Sequence, residues 1–386
     1  MKRALIVGLG ISGMSAAISL KNTGWEPVII ERAPERRRGG YFIGLFSGGI
    51  EAARKLGAYE EIQTRNPDSI ESFEMDKGGL MKKSLGFLDQ PGNPQAALRG
   101  DIEEGLWNTL NQSVKIFYST VPIDIEQKGQ VVSVKLKNVS TGIVQTETYD
   151  LVIGADGLRS TVRSLVFGPH DQYMKSLNAM IVAFQMKEEI PVLEKGQSLT
   201  LADDKRSIWF FGLKDTKPTV LFTYRTKDID SQFKQPIKDI LKDKYKGMFG
   251  ENFVDHALSE LDKAEHPLVD SVHQVKMPKW SKGNVVLLGD AAWCLTLYSG
   301  MGASMGMIGA TVLGEKLSQS PNDVQKALEN YESELRPLIN KHQKLTLVKG
   351  QFFVPSNSFY QFLRNKTLSV ITNRKFKKEK LTAKPS

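Results

Sequence analysis

The chain has 386 residues, enough for two or three compact units, each with its own core. Hydrophobic residues make up 40% and charged residues 25%, which excludes wholesale disorder. No apolar run reaches the roughly 18 residues that a membrane-spanning helix requires. The only cysteine is Cys294, so an intrachain disulfide is excluded and a reducing cytoplasm fits. The formal net charge is +9, which favours acidic ligands or a membrane surface and says nothing about fold. Much of the excess lies in the tail: Arg364, Lys366, Arg374, Lys375, Lys377, Lys378, Lys380 and Lys384 against Glu379. That pattern reads as a solvated terminus or as a contact with anionic lipid or a partner. Without an aromatic-rich basic groove or zinc-ligand spacing, nucleic acid binding is not expected.

Taken in chain order, the first eight residues have the charge and apolar run of a signal peptide, but glycines interrupt the run and a motif continues through it. They read as a first strand. Residues 15–21 have helical spacing and end at Gly24, and 27–31 form a second buried strand. This strand, helix, strand order is a βαβ unit with strands apolar on both faces. A helix follows over 49–56. Residues 67–90 alternate as strands, 102–110 read as a helix, and 115–118, 122–126, 131–136 and 145–151 as short strands. Residues 178–226 carry the alternation of a second sheet. Helical patterns fill 235–263, and an apolar strand at 284–288 returns the chain to the first unit. A long helix over 303–317 and another over 323–347 follow, then an aromatic-rich segment from Phe352 to Phe362. The expected fold is α/β, with interleaved domains.

Gly8-Leu9-Gly10-Ile11-Ser12-Gly13 is a G-x-G-x-x-G between a strand and a helix. Gly8 permits the sharp turn, Gly10 lets backbone approach a pyrophosphate, and Gly13 allows helix to pack closely on strand. The helix N-terminus supplies free N–H groups to the phosphates. Glu31 stands 23 residues after Gly8, ending the next strand, where a carboxylate accepts hydrogen bonds from a ribose diol. Arg32 adjoins it. A carboxylate there favours FAD or NAD over a 2′-phosphorylated cofactor.

Two later segments separate these cofactors by resemblance. Asp150-Leu151-Val152-Ile153-Gly154-Ala155-Asp156-Gly157-Leu158-Arg159-Ser160-Thr161-Val162-Arg163 resembles the Asp-Gly segment of the single-component, group A FAD-dependent aromatic hydroxylases. Lys282-Gly283-Asn284-Val285-Val286-Leu287-Leu288-Gly289-Asp290-Ala291-Ala292 resembles their Gly-Asp segment, and Arg99 matches the family arginine close to the flavin. The resemblance implies a Rossmann-like FAD-binding domain (residues 1–72, 95–177 and 270–320), a substrate domain of mixed β-sheet plus helices (73–94 and 178–269), and a C-terminal segment (321–386) with a bridging helix. It implies that Asp290 hydrogen-bonds the ribityl chain of FAD. Asp156, Gly157 and Arg163 would combine a structural role with holding FAD and shaping the route to NAD(P)H. Gly300, Gly302 and Ala303 would open a helix whose positive end faces the flavin pyrimidine edge. The chain departs from the family where a histidine and prolines usually follow Gly-Asp; here stand Trp293, Cys294, Leu295, Thr296, Leu297 and Tyr298. Losing the proline restraint on φ puts coupled hydroxylation in doubt, but not FAD binding.

The family reaction consumes NADPH or NADH and O2 and hydroxylates an aromatic substrate through a flavin C4a-hydroperoxide; the cofactor carries the difficult steps. Phe184, Trp209, Phe211, Phe222 and Arg225 are the candidate substrate residues, with alternate ones facing the ligand. The strand ending at Tyr224-Arg225 and the Ser299-Gly300-Met301-Gly302 turn look most like the tetracycline-inactivating branch. No metal site is expected, and the protein reads as a monomer. The alternatives are an FAD-dependent reductase or dehydrogenase of a lipid-like substrate, and an FAD-binding protein with a degenerate active site.

Overall fold

A computed structural model describes residues 1–36, 39–110 and 113–382, with side chains through residue 375. Lys384 and the side chains of Lys377, Lys378 and Lys380 lie outside the described residues. The first strand, Arg3–Val7, pairs in parallel with Glu26–Ile30 on one side and Leu151–Gly154 on the other. Its register sets Ile6 beside Ile29 and Ile153, and all three are fully buried, as a parallel sheet covered on both faces requires. Val285–Leu287 and Lys115–Phe117 extend this sheet in parallel, and Ser281–Lys282 adds an antiparallel edge, giving six strands. The helices Ile11–Asn22 and Gly302–Gln319 pack on each other over the sheet. The three-stranded meander of Thr120–Lys128, Val131–Asn138 and Val144–Tyr149 sends Val132, Val134 and Leu136 into the same core.

The second sheet has seven strands. In spatial order these are Leu268–Val275, Met174–Gln185, Thr219–Arg225, Arg206–Phe211, Ser198–Asp203, Ser72–Met75 and Met81–Ser84. It is antiparallel except between Ser198–Asp203 and Ser72–Met75. One face packs against the helices Ile237–Tyr245 and Glu251–Lys263, with Val182, Phe184, Phe210 and Phe222 meeting Leu241, Tyr245 and Phe253. The other face carries Ala179, Ile181, Ala183, Phe211 and Leu221 toward Tyr298 and Phe353. Two of these strands, Ser198–Asp203 and Leu268–Val275, were not foreseen from the sequence. The second pairs with Met174–Gln185 at the edge of this sheet, before the apolar strand that returns the chain to the first sheet.

The long helix runs over Val324–Phe353, past the expected end near residue 347. Asp323 caps it by accepting from the Lys326 N–H at 2.9 Å, the usual use of Asp before a first turn. The aromatic-rich segment is divided: Phe352 and Phe353 end this helix, and Phe359, Tyr360 and Phe362 belong to a further helix, Ser358–Thr382. Among the described residues no helix is long and apolar enough to cross a membrane.

Candidate active site

The glycine turn is tight for a steric reason. Gly8 adopts φ +108, a backbone region that only glycine enters freely. A Cβ on Gly13 would stand 1.9 Å from the Gly8 carbonyl oxygen, so the helix is seated on the strand end without room for one carbon. Gly10 is the N-cap of the helix Ile11–Asn22 and offers no side-chain cap. The first N–H groups of that helix therefore retain the capacity to bind an anion. Gly10, Ile11 and Ser12 line a cavity of about 310 Å³. Glu31 is half-buried at the end of its strand and accepts from the N–H groups of Leu9 at 2.9 Å and Ala33 at 2.8 Å. Arg32 is turned aside and donates to the Thr161 hydroxyl at 3.1 Å.

The Gly-Asp turn meets the same cavity directly beside the glycine turn. Gly289 has φ +65, and a Cβ there would lie 2.3 Å from the Ser12 Oγ. The Asp290 side chain opens on the cavity. The crowded floor pushes its carboxyl above the ordinary carboxylate range, against the opposing effects of the Cys294 thiol and Arg99. Arg99 also lines the cavity and pairs with Glu103 at 2.7 Å. Burial pushes the Cys294 thiol well above its ordinary value; it donates to the His273 carbonyl at 3.3 Å, an environment that keeps a thiol unreactive. Gly300, Gly302 and Ala303 line the cavity where the helix Gly302–Gln319 begins. That helix has no acidic residue in its first turn and no side-chain cap, so its positive end faces the cavity uncompensated.

The Asp-Gly segment divides. Gly157 lines the cavity at φ +78. Asp156 instead accepts from the Ser160 hydroxyl at 2.6 Å and from the N–H groups of Thr161 and Val162 at 2.6 and 3.1 Å, holding the start of the helix Thr161–Val166. Arg163 is fully buried and donates to the carbonyls of Ala291 at 2.9 Å and Leu158 at 2.7 Å. The expected direct cofactor contact of Arg163 is corrected: its guanidinium is a strut tying the Asp-Gly loop to the Gly-Asp loop, because its partners are these two backbone carbonyls and the His170 ring, at 2.9 Å.

The roof of the cavity is the open face of the seven-stranded sheet. Successive side chains of a strand alternate between faces. Phe211 therefore faces the cavity, while Phe184 and Phe222 point into the helix-covered core, and their expected substrate contact is overturned. Trp209 shares the face of Phe211 but lies beside the cavity, tilted against Phe353 with ring centroids 4.7 Å apart. Arg225 is also removed from the substrate set. Its guanidinium donates to the carbonyls of Val354 at 2.9 Å, Leu177 at 3.1 Å and Gly350 at 3.4 Å, neutralising the C-terminal end of the long helix.

Residues not singled out from the sequence complete the wall. Phe42 stacks on Phe211 with centroids 4.3 Å apart and planes 4° apart, and Phe87 meets Phe42 edge-on at 5.0 Å. Gly44 admits Phe87, since a Cβ there would stand 2.0 Å from its ring. The run Gly39-Gly40-Tyr41-Phe42-Ile43-Gly44 was the available signal. Thr296, at φ +69, lines the cavity with a buried hydroxyl that has no partner.

A family model described as an FAD binding domain matches residues 1–346. The chain belongs to this family. A protein named flavin-dependent monooxygenase, from an unknown prokaryotic organism, is 28% identical over 92% of this chain and 90% of its own length. The crystal structure of tetracycline destructase Tet(55) is 26% identical, covers 97% of this chain and 96% of its own, and superposes with a TM-score of 0.78. Klebsiella pneumoniae HpxO, solved with FAD and uric acid, is 20% identical over 96% and 95% of the two chains with a TM-score of 0.75, a likeness of fold. The resemblance to single-component FAD-dependent monooxygenases therefore stands. The residues present also fit FAD: open glycine backbone at Gly10, Gly157 and Gly302, two uncapped helix starts, and the Asp290 carboxylate line one cavity.

Proposed function

We propose that this protein is an FAD-dependent monooxygenase that hydroxylates a planar polycyclic or phenolic small molecule, with tetracycline as the first substrate to test. One arrangement carries the reading: the flat Phe42–Phe211 wall, Asp290 and the start of the helix Gly302–Gln319 line a single cavity. The relatives named flavin-dependent monooxygenase and the tetracycline destructase structures support it.

FAD, when bound, carries two electrons from NADPH or NADH to O2, so that R–H, O2, NAD(P)H and a proton give R–OH, water and NAD(P)+. Gly8, Gly10, Ile11, Ser12 and Gly13 would hold the pyrophosphate through backbone, and Glu31, with Arg32 beside it, would hold the adenosine ribose. Asp290 would take the ribityl hydroxyls, with Gly289 giving it room. Arg99 and Gly157 border the same space, and Asp156 supports Gly157 from behind. Gly300, Gly302 and Ala303 would offer N–H groups to the negative edge of the reduced ring, stabilising charge without a titratable group. Phe42, Phe87, Phe211 and Phe353 orient a flat substrate and exclude water. The lone buried cysteine fits work in a reducing cytoplasm.

Purified protein with FAD, O2, tetracycline and either NADPH or NADH should yield product carrying one atom from isotopically labelled O2. Nucleotide consumption with no label in the product would sink the oxygenase reading and favour a reductase.

A further inference from the structure

The helix Ser358–Thr382 is built inside out. Its inward positions are polar: Gln361 is 5% exposed, Arg364 2% and Thr372 7%. Gln361 donates to the Ala202 carbonyl at 3.1 Å, and Arg364 donates to the Phe352 carbonyl at 2.7 Å and pairs with Glu74. Lys375 pairs with Asp89. Its outward positions are apolar: Phe359 is 67% exposed, Phe362 64%, Leu363 46% and Val370 44%. A surface helix ordinarily buries its apolar stripe and solvates its polar one. This one does the reverse, and Lys366 and Arg374 lie among the outward apolar residues. The last turns of the preceding helix repeat the combination, exposing Leu345 and Val348 beside Lys341 and Lys344. Between Glu334 and Glu379 the sequence has no Asp or Glu.

We propose that this helix seats the enzyme on an anionic membrane surface, with the phenylalanines entering the acyl boundary and Lys366 and Arg374 meeting lipid phosphates. An exposed apolar stripe flanked by cations, on a helix that cannot span a bilayer, is the composition of an interfacial helix. The charge decides against a second copy as the occupant, since pairing two such faces would bring like charges together. The inward hydrogen bonds fix the helix on the body, so the outward stripe is presented without unfolding.

The test is flotation of the full FAD-loaded protein with vesicles of phosphatidylcholine, with and without phosphatidylglycerol. Binding is expected to the anionic vesicles, weaker by more than about tenfold without phosphatidylglycerol or at high salt. The double variants Phe359→Ser/Phe362→Ser and Lys366→Glu/Arg374→Glu should each lose binding by a similar factor, with unchanged flavin spectrum and melting temperature. Absence of wild-type flotation, or equal flotation of the variants, overturns the proposal. A dimer by light scattering that Phe359→Ser dissolves would likewise overturn it, showing that a second copy covers the stripe. None of these outcomes depends on the oxygenation product, so this proposal and the enzymatic one fail separately.

Discussion

The glycine turn and the C-terminal helix solve opposite problems with the same secondary structure. The helix Ile11–Asn22 is buried nearly all round, with Met14, Ala16, Ala17 and Leu20 in the core, and only its uncapped first turn reaches the cavity. The helix Ser358–Thr382 is held by hydrogen bonds and ion pairs and gives its apolar side chains to solvent. Where burial positions a helix, function is confined to its end. Where polar contacts position it, the whole flank is free for binding.

This contrast can be broken most severely at Gly13. Gly13→Ala adds a Cβ 1.9 Å from a backbone oxygen that cannot move aside, so the variant should be recovered without flavin absorbance and largely unfolded by circular dichroism. Next comes the sheet face: Phe222→Ala, in the helix-covered core, should cost about 3–5 kcal/mol in urea unfolding and leave substrate KM unchanged in any protein that remains folded. Phe211→Ala should raise KM instead. Asp290→Asn should weaken FAD roughly tenfold to a hundredfold, read by fluorescence titration, as expected for loss of a charged hydrogen-bond acceptor. The pH effect is milder. Burial raises the phenols of Tyr224 and Tyr298 to about 12, so above about pH 10 the unfolded chain gives up these protons first. Their contribution to stability should be complete below pH 10 and decline as pH rises toward 12, visible as a falling melting temperature. The smallest effect sharpens the other side: Phe359→Ser should alter unfolding stability by less than about 0.5 kcal/mol, since that ring is already in water.

What the sequence made legible follows the same division. The motif from Gly8 to Gly13, Glu31, and the strand before Asp290 are local patterns, and parallel pairing of the buried strands brings Gly10, Ile11, Ser12 and Asp290 to one cavity. The face of the second sheet was not legible, because alternation reveals two sets of residues without saying which set the helices cover. Phe184 and Phe222 fell on the covered side; Phe211 did not. Arg225 looked like a substrate cation because the carbonyls it satisfies, at Gly350 and Val354, come from more than a hundred residues away. Phe42 and Phe87 were hidden for a similar reason: their aromatic cluster exists only after distant strands pair. The orientation of the C-terminal helix was not legible, since its inward face is polar and apolar spacing does not mark its buried side.

Arg163 has a practical consequence. Because it bolts the Leu158 and Ala291 carbonyls together through protein atoms alone, the socket is expected to keep its shape when emptied, which circular dichroism of the stripped protein would check. The stripped polypeptide should then accept flavins of altered redox potential, and turnover could be retuned by exchanging the prosthetic group instead of the residues.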